Sequence, residues 1–328
     1  MKTTHPLSII SLIVICCTFQ ACGHPEQKFS ISVKDDNGEP LKHVESKAWF
    51  KLPGEGDSIK DYAVTGKTDI NGRVELAGNT IWAPTSVEAR MEGYYLSMAG
   101  NHWAISKEGN RWEPWPVEVN LVMKKIVNPK PMYVAKFDGQ KWLAFPDKQL
   151  EPFGFDLMAG DWVAPHGIGR VADFIIQAIR NDEDESTINP KGKIILTFSN
   201  PDDGILKMVD QGGSILIGPG TAPEEGYEGS WDFPNWQPHA TEENLISQDF
   251  SDEVYVFRVR TKLDDEGNVI NSHYGKIHGR IVGWLPQAVP SVIMTYYLNG
   301  SINNRGLEWD TKSNLIEDTS RMSIPERP

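Results

Sequence analysis

The stretch Thr65-Gly66-Lys67-Thr68-Asp69-Ile70-Asn71-Gly72-Arg73-Val74-Glu75-Leu76 decides the fold. It reads as a strand, a turn and a strand. Asn-Gly supplies the positive φ angles of a tight turn, and alternating side chains flank it. The same grammar repeats on both sides. Upstream, Phe29-Ser30-Ile31-Ser32-Val33 alternates, Asp35-Asp36-Asn37-Gly38-Glu39-Pro40-Leu41 turns, and Val44 to Phe50 is a second strand. Downstream, Ser86 to Arg90 leads to Glu92-Gly93-Tyr94-Tyr95, and Val117-Glu118-Val119-Asn120-Leu121-Val122-Met123 closes the unit. Alternation with one apolar face predicts half-buried strands. Asp69-Ile70-Asn71-Gly72 also begins like a calcium loop. That loop requires Glu six residues after the glycine, where Gly78 stands, so a turn is expected.

The order "DDNGEPLKHV", "GKTDINGRVEL", "EGYY" and "VEVNLVM" resembles the carboxypeptidase regulatory-like domain, a transthyretin-like β-sandwich, over about residues 29–125. The resemblance implies a seven-strand sandwich with a structural or binding role and no catalytic residues of its own. The chain departs from that family between Ser97 and Pro116. This longer stretch carries Trp103, Trp112 and Trp115. Exposed indoles form stacking platforms for sugar rings, whereas buried ones would fill the sandwich end or pack on the next domain.

Lys124-Lys125-Ile126-Val127-Asn128-Pro129-Lys130-Pro131 is basic and Pro-containing, and 126–130 reads as a linker. Residues 131–328 are again punctuated strands, which predicts an all-β chain ending in a larger β-sandwich or jelly-roll-like domain. Only Gly169 to Arg180 reads as helix or strand alike. The clearest local element is a hairpin: Glu253 to Thr261 alternates, Asp264-Asp265-Glu266-Gly267-Asn268 turns, and Ser272 to Ile281 alternates back. Tyr255, Phe257 and Val259 share one face. If paired residue numbers sum to an even value, Arg258, Arg260, Tyr274, Lys276, His278 and Arg280 gather on the other. Such a patch would take a carboxylate, sulfate or phosphate through forked arginine donors. The alternative is an ordinary solvated sheet face.

All three cysteines, Cys16, Cys17 and Cys22, lie at the start. Lys2 precedes the apolar run Leu7 to Ile15, which is too short for the roughly 20 residues of a bilayer span. Residues 1–21 therefore read as an export signal. With Ala21 before Cys22, the end of this segment resembles the lipobox of bacterial lipoproteins, although Phe19 and Gln20 depart from the usual pattern. The resemblance implies lipidation of Cys22, a tether over 22–28, and a place at the membrane (the outer one if the envelope is Gram-negative, since no Asp follows Cys22).

Past Cys22 there is no cysteine for a disulfide, a thiolate metal site or a nucleophile. A formal charge of −13 argues against a nucleic-acid partner. No nucleophile elbow, zinc helix or phosphate loop is present, and no cofactor or resident metal is expected. Asp161, His166 and Asp173 are of the types that do acid–base chemistry. Asn181-Asp182-Glu183-Asp184-Glu185-Ser186 reads as a solvated acidic loop. The expectation is a non-catalytic envelope lipoprotein that binds a glycan, an anion or an envelope protein, or that acts as a spacer. The alternative is an envelope hydrolase with its site in 131–328.

Overall fold

The computed structural model describes residues 23–82, 86–100, 106–147, 150–180, 192–210, 212–234, 253–285 and 289–328. The described secondary structure is all strand. The first half contains β1 (Glu26–Asp35), β2 (Glu45–Pro53), β3 (Ile59–Lys67), β4 (Arg73–Asn79), β5 (Ser86–Arg90), β6 (Ser97–Gly100), β7 (Ser106–Glu108), β8 (Arg111–Glu113) and β9 (Val117–Met123). The second half contains β10 (Lys130–Phe137), β11 (Leu143–Ala144), β12 (Phe153–Asp156), β13 (Asp161–Trp162), β14 (Phe174–Arg180), β15 (Gly192–Thr197) and β16 (Gly204–Val209). It continues with β17 (Ser230–Pro234), β18 (Glu253–Leu263), β19 (Val269–Trp284), β20 (Ser291–Asn299) and β21 (Trp309–Asn314).

In the first half, β1 lies between antiparallel β4 and parallel β9. The facing sheet runs β3-β2-β5-β6. Apart from the hairpin β7–β8, seven strands form the two sheets. Inward-pointing Phe29, Ile31 and Val33 of β1 meet Ala48 and Phe50 of β2, Val87 and Ala89 of β5, and Val119 and Leu121 of β9. Each large apolar side chain so buried contributes about 1.5–3 kcal/mol.

Three of the Asp-led turns share one geometry. Asp35, Asp69 and Asp264 each accept, through Oδ1, the backbone N–H groups two and four residues on. Asp69 is therefore a turn former, as the missing glutamate indicated. Gly72 has φ 72°, and a Cβ there would stand 2.5 Å from the Val33 carbonyl oxygen. That contact makes glycine obligatory at this turn.

The second half is also two sheets face to face. One runs β16-β18-β19-β20-β10-β21, with β11 on β20; the other runs β13-β12-β14-β15-β17. Within Gly169–Arg180 the strand is β14, Phe174–Arg180, and no helix forms there. Phe155, Phe174, Ile176, Ile194, Leu196 and Phe233 of the smaller sheet pack on Tyr255, Phe257, Val259, Ile277 and Tyr296 of the larger. Within the larger sheet, Gly275 leaves room for the ring of its cross-strand partner Phe257: a Cβ on it would stand 2.2 Å from that ring.

The hairpin pairs from Val254–His278 to Val259–His273, the even-sum register. Two features differ from the expected patch. Arg260 leaves the face: the ladder shifts after Val259, and Arg260 takes φ 57°. This bulge turns its guanidinium toward Asp156 and Asp173. The polar face is also not solvated. Ala222 and Leu307 pack on Val256 and Tyr274, and Met132, Val134 and Trp309 pack with Tyr297.

Candidate functional surfaces

Among the described residues, charged and aromatic side chains gather at the junction between the sandwiches and at the opposite end of the first. At the junction, β9 ends at Met123 beside Asp35 of β1, and the next residue is Lys124. Lys124 is buried and crosses into the second sandwich. Its ammonium donates to Asp210 Oδ1 at 2.5 Å, the Leu216 carbonyl at 2.9 Å and the Gly218 carbonyl at 2.8 Å. An ammonium has three donors, so all are occupied. Buried Glu308 accepts from the Tyr95 hydroxyl at 3.0 Å and from the Val127 N–H at 3.0 Å. Burial and this carboxylate push the Tyr95 phenol pKa up. Backbone bonds from Met98 N to Gly213 O and from Ile215 N to Leu96 O add to the joint.

Behind this joint lies Lys276, which is 0% exposed. Its Nζ donates to the Ile217 carbonyl at 2.7 Å and sits 5.1 Å from the Tyr297 ring centroid. Burial, reinforced by the Lys124 charge, lowers its pKa to about 7. A cleft of 380 Å³ opens at the junction, lined by Lys124, Lys125, Asp210, Glu308 and residues 218–221 among others. None of the residues selected from sequence lines it.

Those residues are dispersed. Arg258 stacks on Tyr227, 5.1 Å to the ring centroid, and donates to the Asp202 carbonyl at 2.9 Å. Arg260 makes two bonds to Asp173 and one to Asp156. Burial raises the Asp173 pKa against the opposing pull of Arg260. Tyr274 is 5% exposed. Arg280 forks onto Glu253 with two bonds of 2.7 Å, which hold the Glu253 pKa down at about 2. His278 is half-buried, paired between Val254 and Thr295.

The candidate acid–base residues are likewise engaged. Asp161 accepts from the N–H groups of Trp162 and Ile168 and from Arg321. Asp173 also accepts from Leu157 N–H. His166 is exposed and lies edge-on to Phe153, 4.9 Å between centroids. Among the described residues no group of three or more His, Cys, Asp or Glu is placed to hold a metal. Cys22, Trp103 and the acidic run 181–186 lie outside the described residues.

At the far end of the first sandwich, Trp112 and Trp115 are half-buried. Lys107 sits 5.0 Å from the Trp112 ring and Arg111 4.9 Å from the Trp115 ring. The Trp112 indole N–H donates to the Thr80 carbonyl at 3.0 Å. Trp82, which the reading of the sequence passed over, joins them with Lys51 at 5.8 Å from its ring.

No family model matches the chain, and no curated protein matches it. Among solved structures, the chain is similar to 3-chlorocatechol 1,2-dioxygenase from Rhodococcus opacus 1CP at 13% identity, covering 32% of this chain and 61% of that one, with a TM-score of 0.24. The match thus spans less than two thirds of the dioxygenase. A DUF3823 family protein from Parabacteroides merdae aligns at 8% identity over 83% of this chain and 99% of that one, TM-score 0.20. The shaft pilin spaA from Lactobacillus rhamnosus GG aligns at 12% identity over 76% and 92%, TM-score 0.21. Likenesses at this level assign neither family nor activity.

Proposed function

We propose that this chain is an exported lipoprotein with a non-catalytic holding or binding role at the cell envelope. In this reading residues 1–21 are removed, Cys22 carries the lipid, and 29–125 forms a carboxypeptidase regulatory-like sandwich. Residues 126–130 then link to a second sandwich over 131–328. The observation that carries the reading is Lys124, whose three donors are all occupied across the junction. A joint closed in this way suits a protein that presents its second sandwich at a fixed distance and orientation. The engaged state of Asp161 and Asp173 favours the same reading over hydrolysis. The ligand or partner presented is a glycan, an anion or an envelope protein.

Membrane fractionation of cells expressing the wild type and Cys22→Ser tests the proposal. Wild type is expected in the membrane fraction with an incorporated fatty-acid label. The variant is expected to lose the label and become soluble. A Cys22→Ser chain that remains in the membrane fraction contradicts it.

A further inference from the structure

We infer that the tryptophan-bearing end of the first sandwich is a docking surface for the headgroup layer of a phospholipid membrane. The inference rests on the proposed anchor at Cys22 and deepens it, because it says which face of the protein the anchor holds down.

The first argument is distance. The chain next to Cys22 is pinned almost at once. The His24 carbonyl accepts from Asn79 Nδ2 at 2.8 Å, and the Pro25 carbonyl accepts from Thr80 N–H at 2.9 Å. Glu26 N–H then bonds to the Asn110 carbonyl at 2.9 Å, beside β8. Two residues span at most about 7 Å, so an acylated Cys22 cannot stand far from this surface. A leaflet's headgroup region is itself only about 5–8 Å deep. The end of the sandwich must therefore lie against that region or within it.

The second argument is chemistry. Three cation–indole pairs occupy this end: Lys51 with Trp82, Lys107 with Trp112, and Arg111 with Trp115. Trp82 is 54% exposed. Thr80 ties the group to the tether, since its N–H holds Pro25, its carbonyl takes the Trp112 N–H, and its hydroxyl donates to the Trp82 carbonyl at 2.6 Å. Indoles favour the membrane–water interface, where an apolar ring and a polar edge are both satisfied. Lysine and arginine beside them attract lipid phosphates. Glu26, paired with Arg111 between β1 and β8, Glu108 and Glu113 on the hairpin, and Asp61, 3.9 Å from Lys51, are carboxylates at this end. On a chain of formal charge −13, these three cations on ring faces give lipid phosphates contacts that the acidic surface as a whole does not.

The test uses the full chain as Cys22→Ser, freed from any acyl anchor, in flotation with vesicles of phosphatidylglycerol or of phosphatidylcholine. Binding is expected to phosphatidylglycerol vesicles and to weaken with salt. Lys107→Gln should weaken it about fivefold, and the triple variant Lys51→Gln, Lys107→Gln, Arg111→Gln by more than tenfold. Trp82→Ala, an exposed change that leaves the fold intact, should also weaken it and remove part of the quenching by brominated lipid. Absence of vesicle binding, or binding equal in all variants, overturns the docking surface even if wild type carries the lipid label. Vesicle binding with the expected variant losses, together with an unlabelled wild type, removes the anchor and leaves the surface standing.

Discussion

The two ends of the first sandwich use the same residue types to opposite effect. At the junction end, Lys124, Tyr95 and nearby Lys276 are buried, and backbone carbonyls and the carboxylates Asp210 and Glu308 engage them. At the tryptophan end, Lys51, Lys107 and Arg111 rest on indole faces near solvent. A buried lysine must have its donors satisfied within the protein, so it fastens one part to another. A lysine on an exposed ring keeps its charge at the surface, where a partner can meet it. Burial, more than residue identity, separates the joint from the docking surface.

The largest expected break in this contrast is Lys124→Ala. It leaves Asp210 buried without its cation and should cost about 3–5 kcal/mol in urea unfolding. A loss below about 1 kcal/mol would mean that the junction is open to water. Lys276→Met tests the same burial through pH. Burial lowers the folded-state pKa of Lys276 from 10.5 to about 7. Between those values the unfolded chain binds more protons, so wild-type stability rises with pH. The penalty is present in full below about pH 7 and relieved toward pH 10.5. The variant should lack that slope, so its advantage over wild type should be greatest near pH 7 and shrink as pH rises. Parallel curves would contradict a buried Lys276; Lys124, Asp210 and Glu308, the charges that face it, are the same in both chains.

Glu253→Gln probes an intermediate case, a half-buried fork with Arg280. It should cost about 1–2 kcal/mol at neutral pH. Because the Glu253 pKa is lowered to about 2 from 4.5, that contribution is present above about pH 4.5 and lost as pH falls toward 2. Smallest of all, Lys107→Ala should change stability by less than about 0.5 kcal/mol while still weakening vesicle binding. A large stability loss there would show that the tryptophan end is a second joint.

The all-β class was legible because turn chemistry and period-two alternation are local. The Asp-led turns and the even-sum register of the β18–β19 hairpin could be read in the same way. The patch on that hairpin could not. Arg260 departs through a single left-handed residue inside an alternating run, and nothing beside it in sequence announces the bulge. Lys276 has the parity of a solvated position, yet it is buried and its ammonium is taken by the Ile217 carbonyl, 59 residues away in sequence. Lys124 reads as the start of a basic linker, yet its acceptors lie 86 to 94 residues further along the chain. Trp82 carried a signal, an indole two positions before Pro84 in sequence, but its link to Trp112 runs through Thr80 and required the fold.

The central claim is that a lipid on Cys22 holds the tryptophan end at a membrane and leaves the joint to carry the second sandwich. The intact mass of the protein recovered from membranes tests it most directly. The account predicts a chain that begins at Cys22 with added acyl mass and no free thiol. A chain cut elsewhere, with an unmodified Cys22 or none, would contradict it.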